Sequence, residues 1–144
     1  MGLQVGERLL EQSLSTMRRC GGGRRECVLF WAARASDTSR VILVEHPAHT
    51  ATRDGYSVDG NWLTQLWERM ATDDTRVVAQ VHTHPGVAFH SRTDDAFPAL
   101  STPGFVSVVI PRYATEDLDL GSWFVAELQE DGNWQSQPPL IVIT

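Results

Sequence analysis

The stretch VVAQVHTHPGVAFHSRTDD, residues 77–95, runs from an apolar, β-branched segment into a histidine pair, a Pro-Gly break and an acidic end. Val77–Val81 reads as a strand. Successive strand side chains point to opposite faces, so His82 and His84 project together while Thr83 turns away. Pro85-Gly86 ends the strand and turns the chain, which allows Asp94 to return toward the two imidazoles. Two neutral imidazoles and a carboxylate are a ligand set that zinc accepts in catalytic sites, where the fourth position stays open to water. Zinc lowers the pKa of a bound water from about 15.7 to roughly 7 and polarises a carbonyl, so such a site also calls for a general base. His-x-His by itself is weak, because many strands carry two histidines for packing.

Working outward from this stretch, residues 5–19 carry Leu9, Leu10, Leu14 and Met17 on one helical face, and Gly21, Gly22 and Gly23 stop that helix. Residues 26–34 and 40–45 are apolar runs joined by the turn formers Ser36 to Ser39, which predicts an antiparallel pair. Their lack of strict polar alternation predicts strands covered on both faces by helices. Residues 46–58 have no sustained period and read as a long loop or irregular ribbon. Asp59 is a candidate N-cap for a helix whose Leu63, Leu66, Trp67 and Met70 form one buried stripe. Residues 105–110, 122–128 and 140–143 supply further strands, with Asp131-Gly132 as a turn. The expectation is one α+β domain over residues 1–144, with a mixed, mainly antiparallel sheet of about six strands flanked by two or three helices.

A formal net charge of −6 and a pI near 5.2 speak against general affinity for nucleic acid, which depends on cations facing phosphates. Arg18, Arg19, Arg24 and Arg25 surround the glycine run and read as a solvated turn. Neither a secretory core at the N-terminus nor an apolar run near the ~20 residues of a membrane span is present, so the expectation is a cytoplasmic protein with reduced thiols. Cys20 and Cys27 read as one loop thiol and one buried strand thiol, since zinc ligation by this pair would need partners elsewhere.

The longer string, His82-Thr-His84-Pro85 followed after His90 by Ser91-Arg-Thr-Asp94, resembles the JAMM motif of the MPN-domain (Mov34-type) zinc metalloproteases. That family usually has seven residues between its second His and its Ser, and here there are six. Glu26, in RRECVLFW after the first helix, sits where the family places a glutamate. The resemblance covers most of the chain, and DDAFPALSTPGFVSVVIP resembles the bacterial, JAB-like branch. It implies the cytidine deaminase-like fold of MPN/JAB domains and one Zn²⁺ held by His82, His84 and Asp94. It further implies Glu26 as general base on the zinc water and Ser91 as donor to the oxyanion.

Each residue also has a plainer reading. Ser91-x-x-Asp94 fits a helix N-cap, and Glu26 beside Arg24 and Arg25 fits a solvated ion pair. Glu45 is the replacement base if Glu26 faces away, while Asp95 reads as a supporting carboxylate. His90 could approach the metal or the substrate, and His46 and His49 read as surface histidines. As to substrate, the resemblance implies cleavage of the amide after the C-terminal glycine of a ubiquitin-like protein, a partner of the kind found in bacterial conjugation operons. Residues 46–58 are the candidate clamp for its tail. The alternatives are release of a small amine or amino acid from a sulfur-carrier protein, hydrolysis of a small amide, and a non-catalytic scaffold, which the complete ligand set opposes.

Overall fold

The protein is described from a computed structural model that covers residues 2–91, 102–136 and 141–144. A short strand β1 (Leu3–Val5) leads into helix α1 (Glu7–Gly21), followed by β2 (Val28–Arg34) and β3 (Asp37–Glu45). A separate hairpin, β4 (His49–Thr52) and β5 (Gly55–Val58), precedes helix α2 (Gly60–Asp73). The chain then forms β6 (Thr75–Thr83), β7 (Val106–Ile110), β8 (Phe124–Leu128), β9 (Trp134–Gln135) and β10 (Ile141–Ile143). The order across the main sheet is β10-β1-β3-β2-β6-β7-β8-β9. β1 runs parallel to β10 and β3, and β6 parallel to β7, while the β2/β3, β2/β6, β7/β8 and β8/β9 ladders are antiparallel. The α+β class and the mixed, mainly antiparallel sheet are as expected. The described sheet has eight strands where about six were expected, because β1 and β9, of three and two residues, are too short to show a period.

β2 is covered on both faces as expected, whereas β3 is not: of residues 40–45 only Val41 is buried, and Leu43 is 41% exposed. Leu29, Trp31 and Ala33 pack with Leu10, Leu14 and Met17 of α1, and Phe30 and Ala32 pack with Leu66 and Met70 of α2. Each fully buried side chain of this size contributes about 1.5–3 kcal/mol. Trp31, fully buried, donates its Nε1–H to Ser13 Oγ at 2.9 Å, and that hydroxyl donates to Leu9 O at 2.8 Å, so the polar atoms within the α1 layer are paired. On the other face, the Asp59 carboxylate caps α2 by accepting from Trp62 N at 3.0 Å.

A bulge in β6 sets the orientation of everything downstream. Ala32 lies opposite Val77 but Trp31 lies opposite Ala79, so Val78 is one extra residue on β6. Val77 packs on the α2 side, whereas Val78, Ala79 and Val81 all pack on the α1 side. Beyond the bulge the even-numbered residues are therefore turned away from α1, and these include His82.

Residues 46–58 differ from the expected loop. His49–Thr52 pairs with Gly55–Val58 as a hairpin turning at Arg53-Asp54, closed at its base by Asp59 N–H donating to Ala48 O at 2.8 Å. β4 is nearly all polar and β5 alternates over only the four residues Gly55-Tyr56-Ser57-Val58, too short a run to establish a strand by period, although Asp54-Gly55 is a hairpin turn signal.

Candidate metal centre

β6 is a central strand, and its C-terminal end carries the histidine pair. His82 lies opposite Val28 on β2 and Val109 on β7, and the His84 N–H donates to Ile110 O at 2.9 Å, which extends the pairing one residue past the strand. Glu26 precedes β2 on the same side, its N–H donating to Thr52 O of the hairpin at 3.0 Å. The consequence is a compact donor set in which ligand atoms of Glu26, His82 and His84 lie within 4.8 Å of one another. All three are buried, at 4%, 1% and 5% exposure. This burial replaces the solvated ion pair considered for Glu26.

The backbone around the pair is held under strain. Arg112, Tyr113 and Ala114 adopt consecutive left-handed conformations with φ of 53°, 55° and 59°, an arrangement that costs L-residues roughly 1–2 kcal/mol each. The turn is fixed by the chain it supports. Tyr113 N–H donates to His84 O at 2.9 Å, and Arg112 N–H donates to Gly86 O at 3.0 Å. Arg18 of α1 donates from Nε to Ala114 O at 2.6 Å, and Tyr113 Oη donates to Arg53 O at 2.8 Å in the hairpin turn. One strained turn thus ties the His-Thr-His-Pro-Gly segment to both α1 and the hairpin.

Two aromatic neighbours were not singled out from sequence. Tyr56 of β5 packs on the His82 ring with centroids 5.2 Å apart and hydrogen-bonds through its hydroxyl with Gln80 Nε2. Phe89 meets His84 edge-on at 4.7 Å. An aromatic in an otherwise polar ribbon was the available signal for Tyr56.

The other candidates separate clearly. His90 Nε2 pairs with Ser107 Oγ at 3.0 Å, and its ring stacks on Phe124 and meets Trp134 edge-on, so it is anchored on the β7–β9 side. Glu45, the replacement base, is engaged by Arg69 of α2 at 2.8 Å. Ser91 is partly buried, and the expected ligand Asp94 lies outside the described residues, as does Asp95. His46 and His49 come together with Cys20 and Cys27. His46 is held below the usual imidazole value, first by desolvation and second by the proximity of His49. Cys20 and Cys27 are not the separate thiols expected. The glycine turn, closed by Gly22 N–H to Arg18 O and Arg25 N–H to Gly21 O, folds the end of α1 back onto the start of β2 and joins the two sulfurs as a disulfide.

The donor set at His82 and His84 fits zinc. Their Nε2 atoms are 3.2 Å apart, and two nitrogens on one tetrahedral zinc, at Zn–N of about 2.0–2.1 Å, stand about 3.3 Å apart. Glu26 is close enough to receive a proton from a water between the donors.

The chain is similar to several known proteins. The sequence model of the family described as prokaryotic homologs of the JAB domain matches residues 12–125. A probable metalloprotease of Sinorhizobium fredii is 30% identical over 131 residues, covering 88% of this chain and 81% of that protein. A protein of Desulfitobacterium hafniense superposes with a TM-score of 0.70 at 14% identity, covering 99% of this chain and 92% of that one. A JAB1/MPN domain protein of Archaeoglobus fulgidus superposes at 0.56 and 11% identity, with 98% of each chain covered. Among the described residues, no helix is long and apolar enough to cross a membrane.

Proposed function

Since the chain belongs to the prokaryotic JAB-domain family and is a metal-dependent hydrolase, we propose that it is a zinc isopeptidase cleaving the amide after the C-terminal glycine of a ubiquitin-like protein. The observation that carries the reading is the buried convergence of Glu26, His82 and His84 within 4.8 Å. His82 and His84, with Asp94, would hold the metal. Zinc, when bound, supplies Lewis acidity toward the scissile carbonyl and toward a water.

The chain's own residues do the rest. Glu26 takes the proton from the attacking water and returns it to the leaving amine, a role worth about 10²–10⁴ in rate. Ser91 donates to the oxygen on which charge develops in the transition state, strengthening as that charge grows. Tyr56 restrains the His82 ring, and the Tyr113 turn fixes the backbone of His84.

Two features support a polypeptide substrate over a small amide. Val87 and Phe89, 64% and 51% exposed, present apolar surface directly after the histidine turn. Among the described residues β4 and β5 pair only with each other, which leaves strand edges where an extended tail can add backbone hydrogen bonds. These edges support residues 46–58 as the clamp. The test is a comparison of the zinc-loaded protein on a folded ubiquitin-like fusion, bearing an amine-linked extension after its last glycine, and on short peptide amides. Cleavage after the glycine, with kcat/KM on the fusion at least tenfold above the peptides (about 1.4 kcal/mol), is expected. Equal rates on both would move the assignment to a small-amide hydrolase.

A further inference from the structure

Glu26 and Cys27 are adjacent but serve opposite sides of the sheet. Glu26 joins the histidine pair, whereas Cys27 packs in the α1 layer with Cys20 beside it. There the two sulfurs meet His46 and His49, and one ligand atom from each of the four residues lies within 4.8 Å of the others. Cys20 Sγ is 3.4 Å from His49 Nε2, and Cys27 Sγ is 3.6 Å from His46 Nε2. On a tetrahedral zinc, with Zn–S of about 2.3 Å and Zn–N of about 2.0–2.1 Å, a sulfur and a nitrogen stand about 3.5 Å apart.

The support around His49 has the same sense. Its Nδ1 lies 2.9 Å from Pro47 O, and a carbonyl oxygen only accepts, so Nδ1 carries the proton. In the neutral ring this leaves the Nε2 lone pair aimed at Cys20, the tautomer and outer-shell contact of a metal-ligating histidine. A disulfide sulfur has no proton to give that lone pair. Two thiolates and two imidazoles form a set suited to zinc and poorly matched to magnesium or calcium.

We propose that Cys20, Cys27, His46 and His49, with the cysteines reduced, form a second, closed Cys2His2 zinc site of structural character. It joins the end of α1, the start of β2, and the segment leading from β3 to β4. It thereby anchors the chain on both sides of the Glu26 N–H to Thr52 O contact, which fixes the hairpin to the proposed general base.

The site is tested apart from hydrolysis. A His82→Ala/His84→Ala variant, purified and kept under reductant, removes the first centre and leaves the second intact. This variant is expected to retain about one zinc per chain. After exchange with cobalt it should show a thiolate-to-cobalt charge-transfer band in the near ultraviolet. Adding Cys20→Ser and Cys27→Ser should abolish both metal and band. If those substitutions prevent folding, the cobalt spectrum of the cysteine-intact variant decides alone. Metal-free protein with two titratable thiols, sulfurs that stay joined under reductant, or bound cobalt without the charge-transfer band would each overturn the proposal.

Discussion

The two donor clusters lie back to back around the Glu26–Cys27 peptide and are built in opposite ways. The Glu26, His82 and His84 set stands at the start of β2 and the end of β6, two central strands, with all three residues buried. The Cys20, Cys27, His46 and His49 set is gathered from a helix end, a strand start and a connecting segment, and its burial grades from buried Cys27 to exposed His46. A sheet fixes donor positions through ladder register, so two ligands can sit two residues apart and point the same way. Segments packed against one another need one ligand from each, and their spacing in sequence then carries little information. The first arrangement suits a reaction that needs donors held rigidly about an open position, and the second suits a closed clasp.

Substitutions can break that contrast, beginning with the strongest. His82→Ala should remove metal from the strand-borne centre and reduce hydrolysis to background, while leaving the thiolate signature of the cysteine cluster intact. Metal analysis together with turnover checks this, and loss of both metals would show that the clusters are one unit. Ser91→Ala should lower kcat by about 10²–10³ with zinc content unchanged, if its hydroxyl serves the oxyanion. An unchanged kcat would return Ser91 to a capping role. Trp31→Phe removes the donor to Ser13 within the α1 layer, and thermal or chemical denaturation should register a loss of about 1–3 kcal/mol without change at either cluster. Tyr56→Phe should have the smallest effect. It removes a hydroxyl contact to Gln80 but keeps the ring on His82, so a stability loss of about 0.5–1.5 kcal/mol is expected with KM little altered.

The same contrast explains what could be read in the sequence. His82-Thr-His84-Pro85 was legible because strand periodicity converts sequence spacing directly into a shared face. The helices were legible from their apolar stripes, and Leu66 and Met70 are the buried part of the one foreseen for α2. The Val78 bulge, which decides which face His82 takes, left no mark in the apolar run Val77-Val78-Ala79. The hairpin of residues 49–58 was missed because its strands are only four residues each and bury no side chain fully, Val58 being only partly buried where it packs against the α2-side core. The cysteine cluster was missed because Cys20 and Cys27 acquire His46 and His49 only through tertiary folding. The spacings Cys-x6-Cys and His-x2-His resemble no common zinc pattern. Asp94 lies outside the described residues, and the roles of Asp94 and Ser91 rest on the motif.

The central claim is that Glu26 acts as the proton-transferring group of a metal centre held by His82 and His84. It is tested most directly by measuring zinc content and turnover of the Glu26→Gln protein side by side with the unsubstituted one. The amide keeps the shape of the side chain but cannot accept the water proton, so zinc should be retained while turnover falls by about 10²–10⁴. Turnover at the unsubstituted rate, with zinc in place, would contradict the account.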